Sequence, residues 1–394
     1  MPTLDGIKVI DLTRVVAGPF CASLLADMGA DVIKVEHPAK GDQVRGQGIM
    51  LNGISTYFVQ FNRNKRSITV DLYTEQGKEI LSDLIRGADV LLENFRPNVL
   101  ANMGFDEIRL KSLNPKLIVG SINGYGSTGP YKDRPSFDFI AQAMSGYMSV
   151  SGAADGPPMR VGPPLADLVA GLYTAFGVAC ALVNRKTTDG DGQYVESSLM
   201  GGLVSMLAYM SADYFATGNE PRRTGNDHPV LCPYGLFHAK DGDVAIAPAG
   251  EVFLRRFFET LNLTHLFDDP DFANNDARVR NLKRMNAIVD EKIGQNTMDY
   301  WIDILNAAGV PCGQVQDMET LFQDPQLLSQ DMVLTVEHPG HGPIRMTGFP
   351  VKMSETPCEL RLPAPELGAD TEAVLGEFGY QEEKIAALRA DGVI

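Results

Sequence analysis

Cysteine is scarce and scattered. Cys21, Cys180, Cys232, Cys312 and Cys358 are odd in number, with no C-x-x-C pair and no Cys/His cluster. Neither a disulfide framework nor a zinc site is indicated, and free buried thiols in a reducing cytoplasm are expected. The six histidines show no H-E-x-x-H spacing, so no metal is expected. G-x-S-x-G is absent, which excludes the nucleophile elbow of α/β-hydrolases. There is no G-x-x-x-x-G-K-[ST] either, which excludes a P-loop ATPase. The opening MPTLDGIKVIDLT has no charged segment followed by an apolar one, so no secretory leader is expected. Basic residues are outnumbered, 34 Lys and Arg against 50 Asp and Glu, a formal charge of −16. Such a field repels polyanions and argues against a nucleic-acid or anionic-membrane partner. A local basic patch can still hold a phosphate.

What is present fits a soluble globular chain. With 394 residues, 44% hydrophobic and 21% charged, a large core and more than one domain are expected. IKVIDLT (7–13) reads as a strand, 20–29 as a helix ended by glycine, and DVIKVE (31–36) as a second strand. This is a βαβ unit and hence a parallel sheet. Gly18 gives the turn, and Pro19 suits a first helical turn. Strands at 67–72, 89–95 and 116–124 alternate with a helix at 74–88, opened by a Thr cap, and another near 105–114. The large domain is therefore expected to be α/β, open and doubly wound (Rossmann-like). Its N-terminal part is placed at 1–224. A turn leads from 186 into a short strand or helix start near 194. A hairpin at 235–248 and helices at 251–261, 276–294 and 298–308 suggest a smaller α+β domain at 225–325. The segment 326–394, ending in a helix at 371–390, is expected to return to the large domain.

The first βαβ turn reads VVAGPF and not G-x-G-x-x-G, so a dinucleotide site is unsupported although Glu36 ends the second strand. The helix start after Ala17-Gly18-Pro19 still offers N–H groups to an anion. Basic residues cluster in FNRNKRSITV (61–70), and ENFRPNVLANMGF (93–105) adds Arg96. Both lie beside strand ends and are expected to share one edge of the sheet. Positive charge concentrated there, in so acidic a chain, points to a phosphorylated cofactor.

Asp167 is the one ionisable side chain in an apolar run that extends to Val183. Three readings compete. The run approaches membrane-span length, but it is rich in Ala and Gly and has no second span or aromatic and basic anchors. Asp167 also follows Pro163-Pro164, in a first helical turn where an acid gains ~0.3–1 kcal/mol from the dipole. The third reading is a carboxylate nucleophile that attacks an activated acyl group and divides one hard transfer into easier steps.

The segments LDGIKVIDLTRVVAGPFCASLLADMGADVIKVEHPAKGD, NRNKRSITVDL, ENFRPNVLANMGF, GYGSTGP and DLVAGLYTAFGVACALVNRKTTDGDGQYVESSL resemble a family III CoA transferase, the CaiB/BaiF family. The resemblance runs from residue 4 to the C-terminal region. It implies that Asp167 is the nucleophile, passing through an anhydride and an aspartyl-CoA thioester, with coenzyme A or acyl-CoA as substrate and neither metal nor ATP. It implies CoA contacts at Val16, Ala17, His37, Val70, Asp71, Leu72, Tyr73, Asn94, Phe95, Arg96, Asn102, Met103, Pro135, Ser136, Phe137 and Asp138. Lys65 and Arg66 are added on charge grounds. His37 and Asn102 stand where related enzymes carry Arg, which leaves phosphate contacts open there. Val16 and the loop RRTGNDHP (222–229) differ from the formyl-CoA:oxalate branch. Phe137 stands where racemases of this family place a His base, so racemisation ranks second. Carnitine-type and aromatic acyl-CoA transferases are other members. Arg222, Arg223 and His228 are expected to read the second carboxylate of a small dicarboxylate acceptor, with succinyl-CoA as donor. The resemblance also implies an interlocked homodimer. The protein is expected to be cytoplasmic.

Overall fold

The computed structural model describes residues 1–394. Packing divides the chain into two units. The larger comprises 1–147, 160–212 and 328–394, and the smaller 148–159 and 213–327. The smaller unit thus takes two pieces that a boundary at residue 225 leaves out, because 148–159 and 213–224 pack with the later residues.

Six parallel strands form the sheet of the larger unit: β1 (Lys8–Asp11), β2 (Asp31–Glu36), β3 (Lys65–Thr69), β4 (Val90–Glu93), β5 (Ile118–Asn123) and β6 (Tyr194–Ser198). Their order is β3-β2-β1-β4-β5-β6, so strand order reverses at β1. Side chains alternate between two cores. Ile10, Ile33, Ile68 and Leu91 face one. Val9, Val32, Val90 and Ile118 face the other. Burial on both faces explains why β1, β2, β4 and β5 carry consecutive apolar residues at their centres. Truncating a fully buried member such as Ile33 to Ala costs about 2–5 kcal/mol.

Helix α1 (Ala17–Asp27) and the long helix Leu165–Thr188 share the second core. They approach closely at Gly171, where a Cβ would lie 2.5 Å from the Ala17 carbonyl oxygen. The long helix is sufficiently apolar to cross a membrane by length and composition, yet half of its apolar window is buried inside the protein. The rest of its apolar character is an exposed face carrying Leu172, Phe176 and Val183.

The smaller unit has a three-stranded antiparallel sheet, Gly235–Ala239, Gly242–Ile246 and Cys312–Gln314. Phe237, Phe257, Phe258, Phe272 and Trp301 fill its core. Two expected helices are broken in the structure. The 276–294 helix divides at Asn281, whose amide donates to the carbonyls of Asp271 and Ala277 and supplies an alternative to continued helix. The 371–390 helix divides into Thr371–Glu377 and Glu382–Ala390.

Candidate active site

Where strand order reverses, the chain leaves the carboxyl ends of β1 and β4 in opposite directions and a crevice opens between them. A cavity of about 220 Å³ occupies it. Residues 14–17 after β1, 94–97 after β4 and 122–124 at the end of β5 form its walls. Lys132, residues 134–137, Leu199 and Asp167 complete it.

Asp167 lies in the first turn of the long helix and is the only acidic side chain, and with no histidine present the only ordinary proton acceptor, among the lining residues. Burial, reinforced by the charge of Asp138, pushes its carboxyl up to about 7. Two separate facts place Asp138 there. The helix has no side-chain cap from Pro164, and the Asp138 Oδ1 accepts the Ala166 N–H instead, at 2.8 Å. The Asp138 Oδ2 accepts from Gln142 Nε2 at 2.8 Å, and the Gln142 Oε1 accepts the Val161 N–H at 2.9 Å. Two buried polar side chains therefore hold the segment that presents Asp167. The same carboxylates act on Tyr57, whose phenol is raised by burial first and then by Asp167, Asp42 and Asp138.

Four cations line the cavity: Arg14, Arg96, Lys132 and Arg134. None is ion-paired within the chain. Arg14 lies over the Phe95 ring at 5.6 Å and Arg134 over Tyr131 at 3.8 Å. Asn94 ties the two strand ends together, accepting the Arg14 N–H at 2.9 Å and donating to the Arg14 carbonyl at 2.8 Å. An anionic ligand in this crevice would meet positive charge from three loops and a carboxylate at the base of a helix.

Of the residues expected from the sequence, Val16, Ala17, Asn94, Phe95, Arg96, Pro135, Ser136, Phe137 and Asp167 meet here. Others do not. Asp138 is buried and serves the helix end, as described. His37, Asp71 and Tyr73 gather instead beyond β2 and β3, with His37 Nε2 3.9 Å from Asp71 and Tyr73 exposed. Val70 and Leu72 are core residues, and Met103 packs against the same core. Asn102 is exposed on a short helix, Val99–Asn102.

Lys65 and Arg66 require correction. They begin β3 and so lie at the amino edge of the sheet, level with Val32 and Ile33, whereas Arg96 follows the carboxyl end of β4. Lys65 is 1% exposed and donates to Asp11, Asn62 and the Pro19 carbonyl. Arg66 is held by Asp31 and Glu377. Neither offers a free cation to a phosphate.

The loop residues also differ from expectation. In the smaller unit, Arg223 donates to the carbonyls of Ser149 and Gly156, so its guanidinium ties its loop to the 148–159 segment. His228 packs on Tyr234, with centroids 4.9 Å apart, and burial lowers its pKa. Arg222 is exposed. The sequence reading missed Arg14, Lys132 and Arg134. The last two were legible as basic residues in a Gly/Ser/Pro loop directly after a predicted strand. As for a metal, His338, His341 and Glu366 bring three donor atoms within 4.8 Å of one another. All four ring nitrogens already face protein oxygens: Pro339, Ala364 and Asn52 carbonyls and the Glu366 carboxylate. That arrangement leaves no ring lone pair directed at an ion.

An open parallel sheet with a cationic crevice and one buried carboxylate at its switch point defines the class, an α/β protein whose crevice suits an anionic ligand. The family model for CoA-transferase family III matches residues 4–371. A succinate–glutarate CoA-transferase of Agrobacterium fabrum is 38% identical over 385 residues, covering 96% of each chain. An acetyl-CoA:oxalate CoA-transferase of Acetobacter aceti is 37% identical, covering 96% of this chain and 97% of that one. A solved CaiB/BaiF family protein of Brucella suis superposes with a TM-score of 0.84 at 36% identity, over 96% of this chain and 99% of that one. The chain belongs to CoA-transferase family III, a transferase enzyme with CoA or acyl-CoA as substrate.

Proposed function

We propose that this enzyme moves CoA from succinyl-CoA to a small dicarboxylic acid through covalent intermediates on Asp167. The observation that carries this is a single raised-pKa carboxylate at a helix start, facing a crevice lined by unpaired cations. A carboxyl near 7 is more basic than an ordinary one, and a more basic carboxylate is a better nucleophile toward a thioester.

An oxygen of Asp167 attacks the donor thioester carbon, the C–S bond breaks, and CoA leaves as thiolate from a mixed anhydride. The thiolate attacks the aspartyl carbon, the donor acid departs as carboxylate, and an aspartyl-CoA thioester remains. The acceptor carboxylate attacks that thioester and again releases the thiolate. The thiolate then attacks the acceptor acyl carbon, giving the new acyl-CoA and regenerating the Asp167 carboxylate. Thioester and anhydride alternate through the four steps, and over the cycle one thioester is broken and one is made, so no external energy source enters. Removal and return of an α-proton needs two bases, and Asp167 has no acidic or histidine counterpart in the cavity, which favours transfer over racemisation.

Arg14 and Arg96 are assigned to the phosphates of CoA, and Lys132 and Arg134 to the second carboxylate of the acceptor. The relatives named for glutarate and oxalate, both dicarboxylates, support that acceptor class. A homodimer, with the chains interlocked, would cover the exposed Leu172–Phe176–Val183 face, and light scattering measures it directly.

Incubation with succinyl-CoA and hydroxylamine, followed by peptide mapping, tests the mechanism. A hydroxamate at Asp167, absent from Asp167→Asn, is expected. No adduct with succinyl-CoA or acetyl-CoA would remove the covalent mechanism.

A further inference from the structure

Eight non-glycine residues adopt left-handed backbone in this chain. Seven are Asn, Asp or Ala. Val15, at φ 70°, is the sole β-branched one. For such a residue this conformation is strained and persists only where its surroundings over-determine it. Val15 lines the cavity that holds Asp167 and immediately precedes Val16, the N-cap of α1.

Asp42 supplies the determination. Both of its carboxylate oxygens lie 3.2 Å from the Val15 N–H nitrogen. Its Oδ2 is 3.0 Å from Lys34 Nζ, and both side chains are fully buried. The same ammonium donates to the Thr13 carbonyl at 2.8 Å. Asp42 is fixed in turn, since its own N–H donates to Glu36 Oε1 at 2.9 Å and Arg45 grips Glu36. On the other side, the Thr13 N–H and hydroxyl both donate to Asp11, which pairs with Lys65. The turn closes because residue 18 is glycine: a Cβ there would sit 2.2 Å from that of Thr13. Residues 13–17 are thus held from behind by charges that do not themselves line the cavity.

A buried ion pair is a weak source of stability, and an apolar pair would serve a core as well. An apolar pair cannot accept the Val15 N–H. We infer that Asp42 and Lys34 form a positioning clamp for the transfer reaction: they hold Val15 left-handed so that Arg14 and the first turn of α1 face Asp167. As a role in catalysis this rests on the reading of Asp167 as the reacting carboxylate. The clamp itself is measurable without it.

The test compares Asp42→Asn, Val15→Gly and their combination. Asn keeps an oxygen for the Val15 N–H but loses the charge facing Lys34. Expected for Asp42→Asn is a fall in kcat of about thirtyfold, with KM for acyl-CoA within about threefold of the parent. Amide exchange of the peptide spanning 13–18 should accelerate. Glycine enters the left-handed region without strain, so adding Val15→Gly should restore about tenfold in kcat while leaving Tm no higher. If Asp42→Asn does not fold, the apolar pair Lys34→Met/Asp42→Leu serves instead, with and without Val15→Gly. Unchanged kcat in a folded clamp variant, unchanged exchange at 13–18, or no recovery with Val15→Gly overturns the inference. Faster exchange in a protein whose parent forms no Asp167 adduct would keep the clamp on the loop and refute the transfer reading alone.

Discussion

The two edges of the parallel sheet carry similar residues and use them differently. At the amino edge, Lys8 and Arg66 meet Asp31 and Glu377, while Lys65 starts there and extends its buried ammonium to Asp11 at the end of β1. Every cation there has its anion. At the carboxyl edge, Arg14, Arg96, Lys132 and Arg134 surround a cavity whose single acid is Asp167. Charge neutralised within the chain maintains the fold; charge left over is available to an anionic ligand. The net charge of −16 conceals this, because excess acid elsewhere coexists with a local cationic excess.

The comparison is broken most severely at Asp167. Asp167→Asn should lower CoA-transfer kcat by about a thousandfold or more while leaving the fold intact, read by steady-state kinetics beside thermal unfolding. Lys65→Met should strike the fold first, with a smaller loss of kcat because Asp11 also holds Thr13. It leaves Asp11 buried without its partner and should cost about 3–5 kcal/mol of stability, seen in denaturant midpoints. A Lys65→Met protein with normal stability and a weakened KM for acyl-CoA would return Lys65 to the ligand.

How much of this was legible depends on which physical signal each element carries. Strands β1, β2, β4 and β5 stand out because parallel strands covered on both faces carry adjacent apolar pairs at their centres. The expected 31–36 matches β2 residue for residue, whereas β3 (KRSIT) begins two residues before the expected 67–72. The Tyr194–Ser198 strand was ambiguous because it is an edge strand with no fully buried residue. Asp167 was visible as an acid in an apolar run, but not the source of its raised pKa. Asp138 lies 29 residues earlier, and only the fold brings its charge to that helix end. Lys65 and Arg66 were misplaced for a reason present in the sequence itself. They begin their strand and Arg96 follows its own, so in a parallel sheet the two groups start from opposite edges.

That distinction yields a paired test of smaller size. Arg96→Ala or Arg134→Ala should raise KM for acyl-CoA or for the dicarboxylate, respectively, by about tenfold, the loss of one charge-assisted contact. Arg66→Ala should leave both constants within about twofold and lower Tm slightly, since surface-near ion pairs contribute little. Equal effects on KM from the two edges would show that unpaired charge is not what marks the site.

The smallest effect concerns pH and separates the two causes that act on Asp167. Attack requires the ionised carboxylate, so kcat/KM for the donor should rise with pH below about 7 and level off above it. Asp138→Asn keeps an oxygen for the Ala166 N–H but removes the neighbouring charge. Burial, the larger cause, remains, so the midpoint should fall by about one unit and stay above the ordinary value of 3.8. Stability moves with the opposite sign. A carboxyl whose folded pKa exceeds its unfolded one favours the folded state fully below 3.8, and that contribution is lost as pH rises through about 7. The Tm of Asp167→Asn relative to the parent should therefore climb as pH rises from the ordinary value of 3.8 up to about 7 and level off above it. A midpoint unmoved by Asp138→Asn would assign the whole shift to burial and reduce Asp138 to a cap on the helix.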